Sequence, residues 1–163
     1  MTLLLVAPLM RLDAADEAKP ATNELAFVSP ATWKEGKASP FRVVSLAARD
    51  GKVDVSVTRF PAGQGGSFKD NLNRWRMQLG LPPLDKADRA DFPVAKVDGS
   101  EGRRLDLSGG PAGDAKRMIV VEVIHGDLWW VVKMMGPAAD IAAETDAFDQ
   151  FLKSVRFPKP PEK

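Results

Sequence analysis

The stretch from Lys116 to Phe157, KRMIVVEVIHGDLWWVVKMMGPAADIAAETDAFDQFLKSVRF, decides the fold. Two apolar runs flank His125-Gly126-Asp127. Either His125-Gly126 or Gly126-Asp127 can make a two-residue hairpin turn, because glycine and aspartate tolerate a positive φ. A two-residue connection fixes which side chains share a face. Ile119, Val121 and Val123 then lie with Leu128, Trp130 and Val132, and that face is wholly apolar. It requires a cover of helices, since each large side chain withdrawn from water contributes about 1.5–3 kcal/mol. The reverse face mixes Met118, Val120 and Glu122 with Trp129, Val131 and Lys133, so it is expected to stand half exposed. Gly136-Pro137 ends the second strand and opens a helix. The inward stripe of that helix is Ile141, Thr145, Phe148 and Leu152, with Ala138 and Phe151 beside it. Ser154 to Phe157 is expected to form a short last strand.

Upstream, Glu24 to Val28 reads as a short strand closed by Ser29-Pro30, and a loop follows Trp33 to Pro40. Phe41–Ala48 and Lys52–Phe60 are strands joined through Asp50-Gly51, a hairpin signal. In the second strand Val53, Val55 and Val57 alternate with Asp54, Ser56 and Thr58, so one face meets the core and the other meets water. Ser67 is placed to cap a helix over Phe68–Leu79, with Asp70 as its partner. Phe68, Leu72, Trp75 and Leu79 recur at helical spacing on its inner face. Gly80 stops this helix and Pro82-Pro83 prevents a restart. Leu84–Phe92 is polar, with room for one helical turn. Pro93–Asp98 and Glu101–Leu107 form a second hairpin around Gly99, and Gly109–Asp114 is a loop. The fold class is therefore α+β, an antiparallel sheet with helices packed on it. One domain spans 24–157, and 158–163 is a disordered tail.

Composition narrows the function. The 163 residues, 44% of them hydrophobic, are enough for one compact domain with a single core. Lys and Arg number 23 against 22 acidic residues, so no charge excess draws the chain onto nucleic acid. The sequence contains no cysteine, which excludes disulfides, thiolate metal sites and cysteine nucleophiles. Thr2–Met10 (TLLLVAPLM) is too short an apolar run to span a bilayer, and a small-residue, polar stretch to Asn23 follows it. Residues 1–23 resemble a secretory signal peptide that has lost its basic leader, plus a linker. The expected location is periplasmic or extracellular, with no integral membrane segment in the mature chain.

No residue pattern carries recognisable catalysis. His125, the single histidine, is expected at a hairpin tip without the oriented partner that a triad or metal site needs. Gly63-Gln64-Gly65-Gly66-Ser67 could present backbone N–H groups to an anion, but it lacks the ending of a P-loop and reads as a loop before a helix cap. Asp85, Asp88 and Asp91 do not follow a calcium-loop pattern and read as a solvated face. On the first helix, Asn71, Arg74 and Gln78 fall together on the face opposite Leu72, Trp75 and Leu79. Such a patch can bind a carboxylate or a partner's backbone, or its members can be solvated or cap neighbouring loops. Trp129, opposite in facing to Trp130, is a partner-docking anchor, the floor of a shallow groove, or packed under the segment around Trp33. The binding candidates are thus Asn71, Arg74, Gln78 and Trp129.

The whole pattern from Glu24 to Phe157 resembles the MOG1/PsbP-like fold, including its bacterial branch of small exported proteins of unassigned function. The resemblance rests on Pro30 and Trp33, the valine-rich strand ending KVDVSVTRF, and the strand pair around Gly99. It continues through the RMIVVEV and LWWVVK hairpin and the closing FDQFLKSVRF. The phrase NRWRMQLGLPPL, Asn73 to Leu84, is also similar to a segment of secreted bacterial proteins. The resemblance implies an antiparallel sheet between helices and non-enzymatic work, with no cofactor. The expected function is an exported accessory domain engaging a protein partner or envelope component. The alternative is a small-ligand binder with a pocket between the 67–79 helix and the sheet. A hydrolase using the Asp85–Asp91 carboxylates is a third class.

Overall fold

A computed structural model of the protein describes residues 24–159. The export segment and linker read in 1–23, and the tail from 160 onward, lie outside the described residues. The strands are β1 (Lys34–Glu35), β2 (Arg42–Ala48), β3 (Val53–Pro61), β4 (Val94–Val97), β5 (Ser100–Gly109), β6 (Lys116–His125) and β7 (Leu128–Pro137). The helices are α1 (Phe68–Gln78) and α2 (Ala138–Ser154). The strands make one seven-stranded sheet in the order β1-β2-β3-β7-β6-β5-β4, antiparallel throughout. The sheet lies between α2 on one face and α1 on the other, the α+β sandwich expected from the sequence.

The β6–β7 hairpin turns through Gly126-Asp127, and its register pairs Ile119 with Met134, Val121 with Val132 and Val123 with Trp130. The parity expected from a two-residue turn holds. These residues join Val53, Val55 and Val57 of β3 under Ile141, Phe148, Phe151 and Leu152 of α2 to form the larger core. Trp33 packs into the same core, tilted against Phe151 at 5.5 Å between ring centroids. Thr145 is not part of the buried stripe. It is half-buried, and its hydroxyl donates to Ile141 O within the helix at 2.8 Å. Glu144 takes its place.

The reverse face departs from expectation. Met118, Val120, Glu122 and Val131 are all buried, not half exposed. Leu72 and Trp75 of α1 and Leu79 just past its end cover them, and Leu81, Ala87 and Phe92 of the following segment extend that cover. The segment is held against α1 by two polar clamps. Asn73 Nδ2 donates to Leu84 O at 2.9 Å while Leu84 N donates to Asn73 Oδ1 at 2.8 Å. Arg76 Nε donates to Pro82 O at 2.8 Å. The NRWRMQLGLPPL phrase is therefore a folding unit: a helix end that grips its own proline turn and lays it over the sheet. Sequence periodicity follows single elements and does not register a loop that doubles back, which is why the cover was missed.

The two short strands expected at Glu24–Val28 and Ser154–Phe157 reduce to one bridge, Ala26 with Arg156, its two N–H groups donating at 3.0 and 2.8 Å. Side chains divert the neighbouring backbone from a ladder. Val28 N donates to Ser154 Oγ at 2.9 Å, and Phe157 N to Asp98 Oδ2 at 2.9 Å. The segment read as a loop before Pro40 contributes the two-residue β1.

Gly102 on β5 leaves no room for a side chain against β6. A Cβ there would stand 1.9 Å from Glu122 O and 2.4 Å from a Val123 methyl. Neither neighbour can withdraw without breaking the β5–β6 ladder. Gly102→Ala is expected to destabilise the fold by about 2 kcal/mol or more. Urea unfolding followed by tryptophan fluorescence measures it, and a midpoint equal to wild type contradicts it.

Candidate functional site

Two buried glutamates organise the polar interior, one on each side of the sheet. Glu144 of α2 is 7% exposed. It accepts from Trp33 Nε1 at 2.8 Å and from Arg49 Nε at 2.6 Å. Arg49 comes from the β2–β3 turn, where Arg49 and Asp50 both take positive φ, 52° and 54°. Glu122 of β6 is 4% exposed and repeats the pattern. Its Oε2 accepts from Trp129 Nε1 at 2.7 Å, and its Oε1 accepts from Arg89 Nε. A carboxylate withdrawn from water needs such donors, because an unpaired buried charge costs several kcal/mol.

The Glu122 cluster borders an opening. The Phe60, Trp129 and Ile124 row lies across three strands at the hairpin end of the sheet. Phe60 and Trp129 are in ring contact at 5.8 Å. The Gly63–Gly66 loop arches over this row, tied down by Ala62 N donating to Asp127 O at 2.8 Å. Gly65 lies flat on Trp129: a Cβ there would be 2.3 Å from the indole ring. Arg89 enters from a 3-10 turn (Arg89–Asp91) whose start is capped by Asp88, Ala90 N donating to Asp88 Oδ1 at 2.8 Å. Between the glycine loop, Phe68 and Asn71 of α1, and Arg89 lies a cleft of about 170 Å³. Its floor is Glu122, Ile124 and Trp129. Further along α1, Leu72, Trp75 and Leu79 fill the interface with the sheet, and the cleft lies at the N-terminal end of the helix.

The four residues singled out from the sequence do not make one patch. Asn71 is 2% exposed, not on the outer face, and its Nδ2 donates to Gly65 O at 2.8 Å and Ser67 O at 3.0 Å. The glycine loop folds over it, so it acts as the cap of that loop. Asn71 and Trp129 meet at the cleft. Arg74 is exposed on α1. Gln78 lies at the far end of the helix, where its Oε1 accepts from Lys133 Nζ at 3.2 Å. Trp129 does not pack under Trp33, which sits in the core on the opposite face. His125 does have an oriented partner: its Nδ1 is 2.8 Å from Ser100 Oγ, and its ring lies 4.8 Å from Phe157. Among the described residues, no three acidic or histidine side chains gather to hold a metal ion, and no helix is long and apolar enough to cross a membrane.

Arg89 was not found by sequence reasoning, and Glu122 was read only as part of a mixed face. An acid in an apolar strand run is itself a signal of a paired buried charge. Its partner, Arg89, lies 33 residues away in a polar segment with no periodicity to mark it.

No family model matches the sequence, and no curated protein matches it. Solved structures do match. LpqN of Mycobacterium tuberculosis, involved in cell envelope biogenesis, is similar over 88% of this chain and 88% of its own, at 11% identity and a TM-score of 0.57. A protein of Bacteroides thetaiotaomicron VPI-5482 is similar over 85% of this chain at 11% identity and a TM-score of 0.56. This chain spans about half, 47%, of that protein's length. Cyanobacterial PsbP (CyanoP) from Synechocystis sp. PCC 6803 is similar over 86% of this chain and 95% of its own, at 13% identity and a TM-score of 0.48. At these identities the likeness is one of fold alone, an antiparallel sheet between helices shared with LpqN and the Bacteroides protein.

Two predictions follow the charges. Glu122→Ala removes the acceptor of both Trp129 and Arg89 and is expected to cost about 2–3 kcal/mol, less than a fully enclosed pair because Arg89 can turn to water. Urea unfolding checks it, and an unchanged midpoint contradicts it. Burial holds the Lys133 ammonium below the ordinary lysine value of 10.5, Asp54 opposing and Arg42 adding to the effect. The unfolded chain therefore binds the proton more tightly, and wild type carries a penalty that is complete below the lowered pKa and fades as pH rises towards 10.5. Lys133→Met is expected to stabilise the protein at neutral pH, with the advantage shrinking in alkali. Thermal melts across pH read the difference.

Proposed function

We propose that the chain is an exported, non-enzymatic accessory domain that binds a protein partner or an envelope component through the cleft end of its sheet. One observation carries this reading. Beyond the N-terminal end of α1 the sheet's face is roofed only by the glycine loop, and Ile124 stands 51% exposed beside Trp129. On the same face Val94 of β4 is 55% exposed. Apolar side chains left open beside a polar-rimmed cleft are what a docking surface needs. Support also comes from the polar groups: both buried glutamates are saturated by tryptophan and arginine donors, a structural use of residues that an acid–base enzyme would keep free. The envelope role of LpqN, a protein of this fold, is consistent with export. The alternative, a small-ligand binder, is favoured by the cleft itself.

A photo-crosslinking residue at Ile124, expressed in the native envelope, is expected to give a discrete adduct. The same residue at Met77, exposed on α1 away from the cleft, is expected to give none. Val94→Glu should weaken the Ile124 adduct. Equal labelling at both positions, or none at either, argues against the surface.

A further inference from the structure

Resting on the reading that this end of the sheet is a binding surface, we propose that the cleft receives a carboxylate carried on a small apolar body, with Arg89 as its anchor. Arg89 Nη2 is buried and has no hydrogen-bond partner. A guanidinium offers five donors in a rigid plane, and here Glu122 holds that plane through Nε. The remaining donors are oriented before any ligand arrives, so little side-chain entropy is lost on binding. A planar, two-oxygen acceptor matches such a fork better than a single carbonyl does.

A second guanidinium lies beside the anchor. Arg103 is directly opposite Glu122 on β5, and its Nε donates to Arg89 O at 3.1 Å. Its Nη1 donates to Gly102 O at 3.1 Å. The acids nearest Arg89 in the chain are Asp88, which accepts from Ala90 N at 2.8 Å, and Asp91, and both are exposed. Glu101 meets Arg103 Nη1 only at 3.5 Å and is exposed, and Asp70 accepts from the Ser67 hydroxyl at 2.6 Å. The apolar part of the ligand has its own place. Ile124 and Trp129 form the floor and Phe68 one wall, while the absence of side chains on Gly63, Gly65 and Gly66 leaves the loop backbone able to approach it. A volume of about 170 Å³ admits a group the size of a phenyl ring or a branched aliphatic chain, and not a large cofactor.

The carboxylate could belong to a free small acid or to the C-terminus of a peptide, and the test separates them. The probes are phenylacetate, phenylacetamide, the tripeptide Ala-Ala-Phe and its C-terminal amide. Each is titrated into the 15N-labelled protein while the Trp129 Nε1–H and Arg89 Nε–H resonances are followed. Phenylacetate is expected to shift both with a Kd on the order of 1 mM, and phenylacetamide at least tenfold more weakly. A tripeptide that binds tenfold tighter than phenylacetate, and loses this on amidation, assigns the source to a chain terminus. A tripeptide no tighter assigns it to a free acid. Arg89→Lys keeps a cation for Glu122 but loses the fork, and should weaken phenylacetate about tenfold. Should that variant misfold, Ile124→Lys and Ile124→Glu at the exposed mouth provide the second check, Lys tightening and Glu weakening phenylacetate with no difference for the amide. Equal binding of acid and amide, or no shift with either, overturns the inference. A crosslink at Ile124 without a carboxylate preference leaves the docking surface standing and removes the anchor. Carboxylate binding without a crosslink does the reverse.

Discussion

A carboxylate inside a protein must be met by donors, and in this molecule that requirement is imposed twice. Glu144 and Glu122 lie on opposite faces of the sheet, and each is held by one indole N–H and one arginine Nε. In both cases the arginine comes from a 3-10 turn distant in sequence, Arg49 from the β2–β3 connection and Arg89 from the segment after α1. The glutamates therefore fasten peripheral loops to the two sides of the core. Glu144 fixes α2 to the β2–β3 turn and to Trp33. Glu122 fixes the sheet to the segment that would otherwise leave Met118 and Val120 open to water.

Between these clamps the apolar framework is unequal. Under α2 the cover is a helix of 17 residues, continuous across β3, β7 and β6. On the other face α1 has 11 residues, and its proline turn and the chain up to Phe92 complete the work. A helix that short cannot reach the hairpin end of ten-residue strands, so the Phe60, Trp129 and Ile124 row is roofed only by a glycine loop. The cleft is a consequence of that shortfall. Its polar wall is the Glu122 clamp, so the groups that stabilise the fold also shape the opening.

Much of the fold is legible residue by residue. The alternation in Val53–Val57, the two-residue turn between β6 and β7 and the Ser67 cap all act over a few residues, where periodicity and steric preference decide. Ser67 does accept from Asp70 N, at 3.1 Å. The candidate site was legible only in part. Trp129 was singled out because adjacent tryptophans in a strand must face opposite ways. Asn71 was singled out for an outward face, and the glycine loop buried it instead. Arg89 left no trace, since its role depends on a glutamate brought to it by the β5–β6 pairing.

The sequence alone determined the class of fold, the face parity of β6 and β7 and the separation of the strands into two sets of side chains. Those properties follow from periods of two and of 3.6 residues and from turn chemistry, which are local. Only the tertiary structure decided that the mixed face is covered, that NRWRMQLGLPPL is a clamp on its own proline turn, and that Arg89, Glu122 and Trp129 meet at an opening. Each of these depends on contacts between residues far apart in the chain. Such contacts are set by how the layers pack and where buried charge finds its donors, and neither has a period that a sequence can display.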